Sequence, residues 1–215
     1  MKEENPSTSG SAQKAASKRP LPKGVKLNSL NGEKVFSGVR FDVYQWKQKV
    51  FDGTTETYET IRRKDSVIVI PVVGDEVYLV NESQPHVDGS WLGVVAGGVE
   101  DGEDLEVAAK RELLEETGMT FKNLYLVDVQ QYMSGIEWFG YIFIATDLVS
   151  EGPQSLEGGE KIEVAKVTVD KLIELVKGMA FRRFRPKFVE DYILSDNIDT
   201  LKDLLKNPEK YQYKS

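Results

Sequence analysis

The sequence predicts an α+β fold in which helices cover a mixed β-sheet. Three observations carry that expectation. The near-continuous apolar run Ser66-Val-Ile-Val-Ile-Pro-Val-Val73 has the pattern of a strand buried on both faces. Asp52-Gly53 separates two strand-like runs, and this dipeptide marks a hairpin because both turn positions take positive φ. The strongest helix-forming segment, Glu103 to Thr117, has strands both before and after it, so sheet and helix must share one core.

The elements follow in chain order. Residues 1 to about 24 are rich in Ser, Lys, Ala, Pro and Gly with no apolar period, and are expected to form a disordered tail. From Val35 the chain turns strand-like through Val39, Phe41, Val43 and Tyr44 to Val50-Phe51, and the hairpin returns over Tyr58 to Arg63. The apolar run from Ser66 comes next, and Gly74-Asp75 turns it into a strand over Glu76 to Val80. A polar loop holding His86 leads to a short strand from Trp91 to Val95, which is expected to stop at a tight Ala96-Gly97-Gly98 turn. The central helix then has Asp101 and Asp104 as capping oxygens and Gly118 as its terminator. Two long strands, Leu124 to Tyr132 and Ile136 to Thr146, precede a polar loop and a strand over Ile162 to Val167. Helices are expected over Val169 to Val176 and, in two short pieces, from Pro186 onward.

Composition removes whole classes of chemistry. The 215 residues include no cysteine, which excludes disulfides, thiolate catalysis, cysteine zinc sites and iron–sulfur clusters. A serine–histidine relay or a histidine-rich metal centre would depend on His86, the single histidine. That residue has no fixed neighbour and is expected on a surface loop. No apolar run approaches the roughly 20 residues that span a bilayer, and the expectation is a soluble, cytoplasmic protein without a membrane partner.

The acid is concentrated. Of the chain's net charge of −7, the stretch from Gly97 to Met119 carries −6, with eight acids against Lys110 and Arg111. On the helix, Glu112, Glu115 and Glu116 are spaced three and four apart and share one face. Like charges so placed cost a bare helix about 0.2–0.5 kcal/mol per pair. Hard divalent cations with oxygen ligands, Mg²⁺ or Mn²⁺, turn that repulsion into binding, and a carbonyl at Ala96 could add a ligand. Elsewhere Arg182-Arg183-Phe184-Arg185-Pro-Lys187 is a basic run, read as a solvated helix start rather than an RNA site. Trp91 and Trp138 read as core or strand-face aromatics, with base stacking the alternative for Trp138.

The helix and its approach loop resemble the Nudix box. Gly97, Glu103, Arg111-Glu112-Leu113, Glu115-Glu116 and Gly118-Met119 fill every fixed position of G-x5-E-x7-R-E-U-x-E-E-x-G-U, where U is a bulky aliphatic residue. The resemblance implies a Nudix α/β/α sandwich with a mixed central sheet and an N-terminal β-hairpin extension. It divides the chain into a tail (1–24), a β extension (25–64), a hydrolase domain (65–180) and C-terminal helices (181–215). It implies a metal-dependent hydrolase that splits the diphosphate of a nucleoside diphosphate linked to another group. Glu112, Glu115 and Glu116 would hold Mg²⁺, Arg111 would orient a glutamate of the box, and Glu103 and Gly118 would support its geometry.

Outside the box, Tyr58-Glu-Thr-Ile-Arg-Arg63 and Leu156-Glu-Gly-Gly-Glu160 are similar to the ADP-ribose or ADP-sugar pyrophosphatase branch. That branch implies a homodimer built on the N-terminal strands and substrate contacts from Arg63, Gly97, Gly98 and Trp138. It also implies a general base at Glu160, with Glu157 next and Glu115 as the in-box alternative. Two positions depart from the branch: Gln84-Pro-His86 stands where a Gln-x-Arg is usual, and Ser134-Gly135 where a proline is usual. Other activities compatible with the box are hydrolysis of nucleoside triphosphates, dinucleoside polyphosphates or capped RNA, and non-catalytic nucleotide binding. With an acidic patch at its centre, the chain is not expected to take nucleic acid as its main partner.

Overall fold

The computed structural model describes residues 19–156, 158–181 and 186–214. Strand β1 spans Glu33–Ser37, β2 Asp42–Lys49, β3 Thr55–Arg62, β4 Ser66–Val73, β5 Glu76–Ser83, β6 Ser90–Gly93 and β7 Val95–Gly98. Helix α1 (Leu105–Thr117) is followed by β8 (Met119–Gln131), β9 (Ile136–Glu137), β10 (Phe139–Glu151) and β11 (Lys161–Thr168). Helices α2 (Val169–Lys177), α3 (Lys187–Leu194) and α4 (Ile198–Lys206) close the chain.

The larger sheet has the order β11-β5-β4-β10-β8, with β6 added on β5 and β7 on β4. Within it β4 and β10 run parallel and the remaining pairs antiparallel, so the sheet is mixed as expected. A smaller sheet, β1-β2-β3-β9, holds the hairpin around Asp52-Gly53, where Gly53 has φ +89°.

The two-sided burial of β4 follows from what lies on each face. Val67 and Val69 point to a core shared with Ala108, Ala109 and Leu113 of α1. Ile68, Ile70 and Val72 point to the opposite core, filled by Leu172 and Val176 of α2, Val189 of α3 and Leu201, Leu204 and Leu205 of α4. Alternate side chains of one strand thus feed two helical layers, which is why the run has no polar side.

Two expectations are corrected. Ala96-Gly97-Gly98 is not a turn. It forms β7, paired with β4 in the register Ser66↔Gly98, Val67↔Gly97 and Ile68↔Ala96, and neither glycine is among those with positive φ. Residues 19–24 do not trail away from the body. Arg19 forms a largely buried ion pair with Asp65 at 3.0 Å, and its second guanidinium nitrogen donates to the Glu103 carbonyl at 3.2 Å. Leu21 packs against the α1-side core, and its carbonyl accepts the Tyr213 hydroxyl at 2.8 Å. The absence of an apolar period hid this strap because its hold comes from one arginine and scattered contacts rather than from a helix or strand. Residues 1–18 lie outside the described residues. Among the described residues no helix is long and apolar enough to cross a membrane.

Candidate active site

Helix α1 is fixed at both ends by its own sequence. The Asp104 carboxylate accepts the amides of Glu106 at 2.8 Å and Val107 at 3.4 Å, the geometry of an N-cap. At the other end Gly118 adopts φ +70°, and a Cβ there would overlap the Gly152 carbonyl. Both the left-handed backbone and the close approach require glycine. The loop after β10 is tied to the same end, with the Ser155 amide donating to the Glu115 carbonyl at 3.0 Å.

Arg111 organises the acids around it. Nε and Nη2 donate to the two carboxylate oxygens of Glu103 at 3.0 Å each, Nη1 donates to Glu112 at 2.6 Å and Glu115 at 3.2 Å, and Nη2 also reaches the Gly98 carbonyl at 2.8 Å. The bidentate pair holds Glu103 below its ordinary pKa, the Arg111 hydrogen bonds acting against a smaller cost of burial. Glu103 in turn accepts the Glu100 amide at 2.8 Å, so one arginine joins the approach loop, the strand β7 and the helix.

Glu112 and Glu116 are placed differently. Burial pushes Glu112 up to about 7 even though Arg111 pulls the other way, since that guanidinium is shared among three carboxylates. Glu116 is only 6% exposed. Burial first, then the charges of Glu112, Glu160 and Glu82, push it up to about 9, with the Ala96 backbone amide pulling down. Its Oε2 has no hydrogen-bond partner. Gly97 forms the floor: a Cβ at that position would overlap the Glu112 carboxyl group. Glu112 can sit this close to β7 only because residue 97 has no side chain.

These features fit a hard divalent cation. The donor atoms are carboxylate oxygens, one of them buried and unpaired, in a place where like charges accumulate. Among the described residues no three acids already converge as a ligand set; Arg111 draws Glu112 and Glu115 toward itself.

Beside the Ala96–Gly98 backbone lies a cleft of about 150 Å³. Its walls are apolar, with Ile68, Ile142 and Phe188 among them, and its polar rim includes Arg63, Ser66 and Gln130. The Trp138 ring packs on Tyr132 with centroids 4.4 Å apart, and its indole N–H donates to Ser66 at 3.1 Å. The Arg63 guanidinium covers Trp138 at 4.0 Å from the ring centroid and stands 5.7 Å from the Phe41 ring. Stacking of a base on that face of Trp138 would require Arg63 to move.

A family model, the NUDIX domain, matches residues 62–191. The chain belongs to the Nudix family. It is a Nudix pyrophosphohydrolase, a class that generally needs divalent metal ions. It is 28% identical over 158 residues to an ADP-ribose pyrophosphatase of Bacillus subtilis, covering 72% of this chain and 85% of that one. It is 31% identical over 138 residues to the ADP compounds hydrolase NudE of Escherichia coli, covering 63% and 73%. The crystal structure of an ADP compounds hydrolase, 24% identical, shares the fold with a TM-score of 0.61 over 88% of this chain and 98% of the other.

The fold brings Gly98, Glu103, Glu112 and Glu115 together on Arg111, sets Gly97 against Glu112 and Ala96 beside Glu116, and leaves Gly118 apart at the end of the helix, where it packs on Gly152. Glu160, on the loop before β11, is near enough to raise both Glu112 and Glu116. Arg63 and Trp138 meet each other at the cleft rather than at the carboxylates. His86 is exposed on the turn between β5 and β6, as its sequence context suggests. Glu157 and Arg182–Arg185 lie outside the described residues; Lys187, at the end of that basic run, pairs with Asp191 at 2.5 Å and lines the cleft. Sequence reasoning missed Glu82, a further carboxylate acting on Glu116, and the cleft residues Gln130 and Tyr132. A signal for the latter was present: Asp128, Gln130 and Tyr132 put polar groups at every second position after the apolar run Leu124-Tyr-Leu-Val127.

Proposed function

We propose that this Nudix hydrolase cleaves the diphosphate of ADP-ribose or an ADP-sugar with Mg²⁺, releasing two phosphorylated products. The observation that carries the reading is the contact between the buried carboxylates and an apolar, cation-rimmed cleft through the Ala96–Gly98 backbone. The names of the Bacillus subtilis and Escherichia coli relatives support it. Glu112, Glu115, Glu116 and the Ala96 carbonyl would hold the cation, with Mn²⁺ the alternative. Bound there, the cation neutralises the diphosphate and acidifies the attacking water.

The chain's own residues do the remaining work. Arg111 fixes the carboxylates of Glu112 and Glu115. Glu160 faces the buried pair and takes the proton of the water as it attacks phosphorus. Arg63 neutralises the substrate at the cleft rim. The N-terminal sheet supports a homodimer: β1 is exposed along its whole length, and Val35, Phe36, Val39, Tyr58 and Ile61 leave apolar surface uncovered. Sedimentation of the full chain tests that assembly.

The activity is tested by a hydrolysis screen with Mg²⁺, with and without chelator, over ADP-ribose, ADP-glucose, NADH, diadenosine polyphosphates and nucleoside triphosphates. Chelator-sensitive release of AMP from ADP-ribose or ADP-glucose is expected. Turnover of the triphosphates alone would move the assignment to a different substrate, and silence with folded protein would favour a binding role.

A further inference from the structure

Asp128 and Gln130 lie two residues apart at the end of β8 and therefore share a face, and Tyr132, just past the strand, joins Gln130 in the cleft lining. That face looks into the cleft, where Gln130 and Tyr132 stand among Ile68, Ile142 and Phe188. The Gln130 side chain is oriented rather than free to rotate. Its Nε2 donates to Asp128 Oδ2 at 2.7 Å. A carboxylate only accepts, so the nitrogen of the amide must face Asp128 and the oxygen must face away. Asp128 is itself anchored, because its Oδ1 accepts the Val129 amide at 2.9 Å. The Gln130 carbonyl oxygen has no partner among the described residues and is not a buried orphan atom, so it remains open to a ligand.

We propose that Gln130, locked by Asp128, reads the nucleobase in this cleft and selects bases that carry an exocyclic amine. The inference rests on the proposal that the nucleoside end of the substrate occupies the cleft. A 6-aminopurine donates its amine hydrogen to the presented carbonyl. A 6-oxopurine brings a second carbonyl to the same point, facing the Gln130 oxygen with no hydrogen between them, while of the cations lining the cleft Lys187 is paired with Asp191 and Arg63 lies over the Trp138 ring. An acceptor held in one orientation beside apolar side chains discriminates by leaving the wrong edge unpaired.

The test compares ADP-ribose with its hypoxanthine analogue, which differs at that edge of the base, in wild type, Gln130→Leu and Asp128→Asn. Wild type should favour ADP-ribose in kcat/KM by about tenfold or more. Gln130→Leu should bring the ratio close to one. Asp128→Asn should also lower it, because an amide at 128 offers both donor and acceptor and lets Gln130 turn over. This second variant leaves Gln130 in place and reports on orientation alone, and a lost packing contact would not move the ratio. Equal use of the two compounds by wild type, or an unchanged ratio in both variants, would overturn the inference while leaving the hydrolase reading intact. Failure of wild type to hydrolyse either compound would overturn both.

Discussion

Glu116 is a carboxylate that the fold has buried without giving its Oε2 a partner. For a group used only to hold the fold together this arrangement is unfavourable, since burial disfavours the charge and three further carboxylates add to the cost. Glu116→Gln should therefore reduce kcat by about 10²–10³-fold while leaving the circular dichroism spectrum and melting temperature of the metal-free protein at or above those of wild type. Near-normal turnover would remove Glu116 from the cation site. The same burial sets a pH dependence. A carboxyl whose pKa rises on folding, here from 4.5 to about 9, favours the folded state while it is protonated and loses that advantage as pH rises through this interval. Chelated wild type should melt at progressively lower temperature from pH 5 to pH 9, by about 2–4 °C for each kcal/mol involved. Mg²⁺ or Glu116→Gln should flatten the slope, and a flat profile in chelator would show that Glu116 ionises freely.

At the level of elements, α1 was legible because most of its fixed positions answer to a local demand, although Asp104 alone, not Asp101, supplies the capping oxygen and the helix opens at Leu105 rather than Glu103. Asp104 must accept amides, Gly118 must turn left-handed, and Arg111 must reach Glu115 one turn further along the helix as well as Glu103 in the approach loop. Those demands are written in residue type and spacing, so helix, caps and acidic face could all be read before any coordinates. Gly97 shows where such reading stops. Its pairing with Glu103 in the box was visible, yet the reason for glycine was assigned to a turn, whereas it lies in the approach of Glu112 across to β7. Contacts between elements leave no mark in local periodicity. The cleft was hidden for the same reason: Arg63, Ser66, Trp138 and Phe188 come from separate segments that only the sheet order brings together. Gly97→Ala is the sharp test. The added methyl group would overlap the Glu112 carboxyl group, so activity should fall at least tenfold through displacement of Glu112 while the protein stays folded. Wild-type kcat in Gly97→Ala would mean that Glu112 has room the structure does not show.

Across the whole molecule, the larger sheet separates the carboxylate helix from the three helices on its other face, and β7 is the strand at which acids and cleft meet. The strap at residues 19–27 belongs to the α1 side. It ties Asp65 and the Glu103 carbonyl through Arg19, and it accepts the hydroxyl of Tyr213 through Leu21. Tyr213 is held to the sheet as well, its amide donating to the Leu126 carbonyl at 2.8 Å. Segments far apart in the chain are thereby fastened at one spot. A consequence is that the two ends of the described residues are fastened to each other through the Tyr213 side chain. In a chain lacking residues 1–18, a flexible peptide long enough to reach past the Tyr213 side chain could join residue 214 to residue 19, and new ends could be opened at the exposed Asp52-Gly53 turn. Such a circular permutant should fold and keep its turnover within a few-fold of the linear chain. Loss of turnover in a folded permutant would show that the hairpin must be continuous for the cleft to form.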